Sequence, residues 1–153
     1  MIKYRKAAID DLDDLLKVRI DFLLDAKNIT SDNEQTMLAA NREYLESSLQ
    51  DGSFVGWLAI DRNKIIATSS VSYYKLPPNS IRPNGKVAYI GSMFTYPQYR
   101  KQGIATKLFE MAVKDAKANG YTQIELHATK MGRPIYEKYG FVNSSDAMIY
   151  FAN

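Results

Sequence analysis

The stretch VAYIGSMFTYPQYRKQGIATKLFEMAVKDAKANG, residues 87–120, decides the fold. Residues 87–95 are rich in β-branched and aromatic side chains and are stopped by Pro97, which predicts a strand. From Gly103 to Asn119 the apolar residues recur at helical spacing, with Ile104, Leu108, Met111, Ala112 and Ala116 inward and Lys107, Lys114 and Lys117 outward, until Gly120 ends the run. A strand that feeds a helix through so short a loop leaves free backbone N–H groups and the positive end of the helix dipole at the junction. Gly103 lets a ligand approach that backbone closely, and Arg100 and Lys101 add charge. The junction therefore suits an anion. No Gly-Lys-Ser/Thr follows, which excludes a P-loop, and the glycine triplet of a dinucleotide fold is missing. A pyrophosphate in another setting fits, and so does a plain helix start beside two solvated bases.

Working outward, Ile124, Leu126 and Ala128 alternate with Glu125 and His127 in a strand. Residues 87–128 thus read as strand, helix, strand, joined by a right-handed parallel crossover. Arg133 to Tyr139 makes a short helix ended by Gly140, and residues 147–151, AMIYF, close the chain with a strand. Upstream, residues 2–8 read as a strand. Asp10 or Asp11 caps a helix with the stripe Leu12, Leu15, Leu16, Arg19, Phe22 and Leu23. Ser31 with Glu34 has the capping-box spacing, and Met37, Leu38, Tyr44, Leu45, Ser48 and Leu49 continue a second helix to Asp51-Gly52. FVGWLAI and KIIATSSVSYY flank Asp-Arg-Asn as a hairpin over residues 54–74, and LPPNSIRPNGK is a loop. The order is βααβββαβαβ. It predicts one α/β (α+β) domain over residues 1–153, with a mixed, mostly antiparallel sheet and helices on both faces.

Composition narrows the chemistry. With 153 residues, 46% apolar and 24% charged, the chain has the balance of one globular domain. No apolar run approaches the roughly 20 residues of a membrane helix, and MIKYRKAAID has no signal-peptide stretch, so a cytoplasmic protein without a membrane partner is expected. The absence of cysteine removes disulfides and a thiol nucleophile, and a single histidine makes a multi-histidine metal site impossible. Net charge is only +3, and its bases are spread over helix and loops with no recognised nucleic-acid motif. Residues 1–61 hold 7 Lys/Arg against 12 Asp/Glu, and residues 62–153 hold 13 against 5. The halves either face oppositely charged ligands or carry solvated acidic helix faces.

Two motifs resemble the GNAT superfamily of acetyl-CoA-dependent N-acetyltransferases. Arg100-Lys101-Gln102-Gly103-Ile104-Ala105 fits the family's pyrophosphate loop, Q/R-x-x-G-x-G/A, and Tyr136-Glu137-Lys138-Tyr139-Gly140-Phe141 fits its Tyr-x-x-x-Gly-Phe signature. Their order and spacing, with two helices before the hairpin, carry the resemblance over essentially the whole chain. It implies a GNAT-like sheet with acetyl-CoA as cosubstrate, and backbone contacts from Met93, Phe94 and Thr95 to the pantetheine arm. Arg100, Lys101, Gln102, Gly103, Ile104, Ala105 and Thr106 would cradle the pyrophosphate. Tyr136 would sit near the coenzyme sulfur, where a phenol of ordinary pKa near 10 is protonated at neutral pH and can supply the leaving thiolate with a proton. The chain departs from the pattern at Thr129, where many members carry Asn, and at Tyr89, near a common Glu.

Glu125 and His127 project from one strand face, opposite Ile124, Leu126 and Ala128, toward the side expected for the first two helices. Either could accept a proton from the amine, and either could serve a solvated face or a structural hydrogen bond; Glu125 is the candidate base. Tyr73 or Tyr74 could line an acceptor site or simply pack. The expected activity is acetyl transfer to a primary amine by direct attack in a ternary complex, the absent cysteine removing the usual acyl-enzyme nucleophile. The acceptor is a small-molecule amine or a peptide amine. Alternatives are N-terminal or lysine acetylation of a protein, and a catalytically silent acyl-CoA sensor, while a homodimer stays open. The acidic first half, with Asp25, Asp32 and Glu34 between its helices, favours a cationic acceptor over an acidic amino acid.

Overall fold

The computed structural model of the chain describes residues 1–144 and 146–152. Strand β1, Lys3–Lys6, pairs antiparallel with β2, Phe54–Asp61, and β2 with β3, Lys64–Lys75. The tight turn between β2 and β3 places Arg62 and Asn63 at φ 49° and 64°, the left-handed pair that matches the twist of a two-residue hairpin. β3 pairs antiparallel with β4, Lys86–Thr95, and β4 pairs parallel with β5, Gln123–Glu125, so the sheet order is β1-β2-β3-β4-β5. The predicted crossover is therefore present. It runs through α3, Ile104–Ala118, and α4, Arg133–Tyr139, follows β5.

Strand alternation sends the core to two sides of the sheet. Phe54 and Leu58 of β2 pack with Leu15 and Leu16 of α1, Leu12–Asp25, and Leu45 of α2, Glu34–Asp51. Ala59, one residue on, packs on the opposite face with Ile104 and Leu108 of α3. Further along α3, Phe109, Ala112, Val113 and Ala116 cover Val71, Ala88 and Ile90. Burying Leu108, Phe109 and Val113 contributes about 1.5–3 kcal/mol each, while Ala112 and Ala116 let the helix approach closely, so the stripe fixes α3 to β3 and β4. Helices lie on both faces, as expected.

Three readings need correction. Ser31 does not cap α2: Asn33 holds the cap position, and its Oδ1 accepts from the Thr30 N–H at 2.9 Å in a local turn. β5 is shorter than residues 124–128 suggested, because only Gln123, Ile124 and Glu125 stay in register with Val87, Ala88 and Tyr89 before the chain leaves β4. The closing strand over residues 147–151 is not formed, so the observed order stops at α4. Met148, Ile149, Tyr150 and Phe151 are instead 96, 71, 90 and 81% exposed. Side-chain composition alone suggested that strand, but a strand is made by ladder pairing, and residues 147–151 pair with no strand among the described residues.

Candidate active site

The parting of β4 and β5 builds the site. Beyond Tyr89 the edge of β4 that faced β5 has no strand partner among the described residues, so the backbone of Ile90–Thr95 is open on that side. On its other edge β4 pairs with β3 through a bulge, where Ser70 opposes Gly91 and Thr68 opposes Phe94. Ser92, at φ 49°, is the residue that turns, and its carbonyl accepts from Thr68 Oγ1 at 2.8 Å. A non-glycine residue held in this region stores strain that the surrounding hydrogen bonds must sustain.

A cleft of about 330 Å³ opens there, walled by α1, α2, β3, β4 and the segments around β5 and α4. Met93, Thr129 and Tyr136, which the sequence reading tied to the coenzyme, line it together with Leu126 and His127. Tyr136 packs against Phe109, their ring centres 5.0 Å apart, and burial beside Tyr89 pushes its phenol above the ordinary value, with no hydrogen bond contributing. Thr129 braces the turn that precedes α4, its hydroxyl accepting from the Gly132 N–H at 3.1 Å. A side chain on Gly132 would meet Tyr136 Oη at 2.9 Å, so the bare glycine leaves room for the phenol. Tyr89 Oη lies 2.8 Å from His127 Nδ1, and both residues line the cleft.

Glu125 stands apart from this lining. Its carboxylate accepts from the Tyr74 hydroxyl and, at 3.2 Å, from Gln123 Nε2. Burial and that contact with Glu125 push the Tyr74 phenol up to about 12. Tyr73, the other aromatic candidate, is also turned away from the cleft, donating to Asp115 at 2.5 Å.

The predicted anion junction lies outside this lining. Phe94 turns its ring into the core against Phe22 and Tyr96, so only its backbone is open to a ligand. Lys101 and Gly103 both adopt left-handed φ, 62° and 78°, and such alternation gathers successive N–H groups into an anion-binding concavity. The first main-chain bond into α3 runs from Lys107 N to Gly103 O, which leaves the amides of Ile104, Ala105 and Thr106 free. Lys101, Gln102, Gly103 and Thr106 are exposed, Ile104 is buried, and Arg100 turns back, Nε donating to the Thr95 carbonyl at 2.8 Å.

The acetyltransferase (GNAT) domain model matches residues 24–152. The chain belongs to the GNAT acetyltransferase family. A relative in Archaeoglobus fulgidus, an uncharacterized N-acetyltransferase, is 27% identical over 152 residues, covering 95% of this chain and 92% of that protein. A predicted acetyltransferase from Clostridium acetobutylicum, solved with acetyl-CoA, is 33% identical with a TM-score of 0.89 over 99% of this chain and 96% of its own. A GCN5-related N-acetyltransferase from Ralstonia eutropha is 26% identical, with a TM-score of 0.88 over the full length of both. As a GNAT acetyltransferase the protein is an acyltransferase with acetyl-CoA as cosubstrate. No helix among the described residues is long and apolar enough to cross a membrane.

The cleft of this GNAT acetyltransferase contains residues that the sequence did not single out as functional: Arg19, Asn41, Tyr44, Ser72, Tyr89 and Ser92. The available signal was a charged residue, Arg19, at a stripe position of an amphipathic helix. The acidic capture site expected between α1 and α2 is not in the cleft. Asp25 pairs with Arg100 at 3.3 Å, Asp32 and Glu34 do not line the cavity, and no carboxylate does among the described residues.

Proposed function

We propose that this protein transfers the acetyl group of acetyl-CoA to the primary amine of a small molecule, by direct attack in a ternary complex. One observation carries the reading: a single cleft joins an unpaired stretch of β4, the Tyr136 phenol and the Tyr89–His127 pair. The open backbone of Met93, Phe94 and Thr95 suits the amides of the pantetheine arm. The free amides from Gly103 to Thr106, with Lys101 and Gln102, suit the pyrophosphate, and Arg100 shapes that loop through Thr95. α1 and α2 roof the acceptor side, which favours a small amine over an extended peptide.

As the amine attacks, a C–N bond forms and the C–S bond breaks. Tyr136 gives its proton to the departing sulfur, and its raised pKa keeps that proton available. The amine gives its proton to the Tyr89 oxygen as Tyr89 passes its own to His127 Nδ1, so charge and protons balance. For this step the geometry supports Tyr89 and His127 over Glu125, whose carboxylate is held by Tyr74 and Gln123. Glu125 remains a positioning residue, its charge helping to keep Tyr89 protonated. With no cysteine in the chain, an acyl-thioester intermediate on the protein is absent from this scheme.

The exposed apolar tail supports a homodimer. Ala147 to Phe151 are apolar at every position, the pattern of a strand covered on both faces, and β5 presents an outer edge without a strand partner among the described residues. The edge of a second copy satisfies both.

The test of the transferase reading is thiol release from acetyl-CoA with a panel of amines and peptides, with product masses recorded. Release that depends on an added amine and yields its N-acetyl product supports it. Tight coenzyme binding without turnover of any amine or peptide points to the sensor instead.

A further inference from the structure

The cleft holds one guanidinium and, among the described residues, no carboxylate. Arg19 rises from α1, half-buried, with Nε donating to Asn41 Oδ1 at 3.1 Å and one terminal nitrogen 3.5 Å from Ser92 Oγ. Its Cζ lies over the Phe22 ring, 5.6 Å from the ring centre. Six ion pairs are formed among the described residues, and Arg19 belongs to none of them. Burial pulls its pKa down, as expected for a cation removed from water without a counter-ion. Such a charge costs free energy unless something pairs with it. A neutral lining of the same shape would have avoided that cost, and Asn41, Tyr44 and Ser72 already supply neutral polar groups.

We propose that Arg19 is the anchor for an anionic group on the acceptor, and that the acceptor is a small amine carrying a carboxylate. The inference rests on the reading of this cleft as the acceptor site. A guanidinium presents five N–H donors in a planar fork, and Arg19 spends one on Asn41 and at most one on Ser92. The remaining donors match the two oxygens of a carboxylate. A phosphate dianion calls for more positive charge than this cleft supplies, since Arg19 is its only Lys or Arg among the described residues. Placement also fits the chemistry. Arg19 lies within electrostatic reach of Tyr89, which contacts His127 and acts in turn on Tyr136, so the anchor and the proton-transfer groups share one wall.

The experiment compares amines that differ only in the anchor: free amino acids, their amides, the decarboxylated amines, and aminoalkyl phosphates, each assayed by thiol release and product mass. Carboxylate-bearing acceptors are expected to exceed their amides and decarboxylated counterparts by about 10- to 100-fold in kcat/KM, the worth of a charge-assisted hydrogen bond. Arg19→Gln should raise KM for the carboxylate acceptor by that factor, leave KM for acetyl-CoA within about twofold, and erase the preference over the amide. Arg19→Lys should recover part of it, and thermal unfolding of both variants checks that the fold is intact. If either variant proves unfolded, the wild-type comparison of carboxylate with amide decides alone. Equal use of the amide, or preference for a cationic amine or a phosphate, overturns the inference while the transferase reading stands. No turnover with any amine overturns both.

Discussion

A phenol donates its proton only while it holds it, so the placement of Tyr136 makes a prediction about pH. Burial and Tyr89 raise its pKa above the ordinary 10 or so, and the protonated form therefore persists further into alkali than for a free tyrosine. Turnover at saturating substrates should hold through about pH 9 and fall only above pH 10, as the proton is lost. Tyr136→Phe keeps the ring against Phe109 and removes the proton; turnover should drop about 100-fold with acetyl-CoA affinity little changed. Wild-type turnover in that variant would assign the acid to another group. Tyr136 was legible in the sequence because its motif is local, six residues within and just after one short helix. Glu125 and His127 were less so, because what separates their roles is Tyr74 on β3 and Tyr89 on β4, partners 51 and 38 residues away. Arg19 was legible as a position on α1, but its function depends on which charges fail to reach it.

Elements place these residues against their neighbours, and glycine positions expose how closely. A methyl group at Gly132 would come within 2.9 Å of Tyr136 Oη, in a backbone conformation, φ −82°, that alanine adopts freely. Gly132→Ala should therefore leave α4 intact and displace the phenol; misplacement by about 1 Å can cost 100-fold, so a large fall in turnover with unchanged far-UV dichroism is expected. Retained activity would mean that Tyr136 adapts without cost. Gly103 differs, since a side chain there meets nothing within 4 Å but must adopt φ 78°. Gly103→Val should lose about 1–2 kcal/mol of stability to that strain and intrude on the open junction. Calorimetry on the folded variant should find acetyl-CoA affinity reduced about tenfold, the loss of a bond to a charged group, and unchanged affinity would remove the pyrophosphate from this loop. The crossover that holds Gly103 was readable because α3 carries its own amphipathic stripe. The length of β5 was not, because alternation of Ile124, Leu126 and Ala128 continues after the backbone has left β4. Nor was the bulge, because Ser92 takes the left-handed turn beside the more permissive Gly91.

At the scale of the whole molecule, distributed charge and exposed apolar surface carry different weight. The acidic first half and basic second half are real in the sequence, yet fields from exposed charges are largely screened beyond about 8 Å at physiological salt. The cleft itself carries one guanidinium and, among the described residues, no carboxylate, so the charge partition of the two halves does not describe its lining. The tail is a stronger whole-molecule feature, since five consecutive apolar residues with four large side chains in water are what a second copy would cover. Light scattering should then give about twice the 17.4 kDa of one chain. The pattern sharpens the expectation: along an extended tail, Met148 and Tyr150 point to one side and Ile149 and Phe151 to the other. A tail folded back on its own β5 as a last strand would bury one side, and only Met148→Asp or only Ile149→Asp would be harmful. A tail covered on both faces at the joint between two copies makes both substitutions disruptive, each yielding monomer at concentrations where the parent chain is dimeric. Because α1–α4 and β1–β5 pack without the tail, those monomers should keep cooperative unfolding. A parent chain that is monomeric at tens of micromolar, or a dimer indifferent to both aspartates, would remove the tail from any subunit joint.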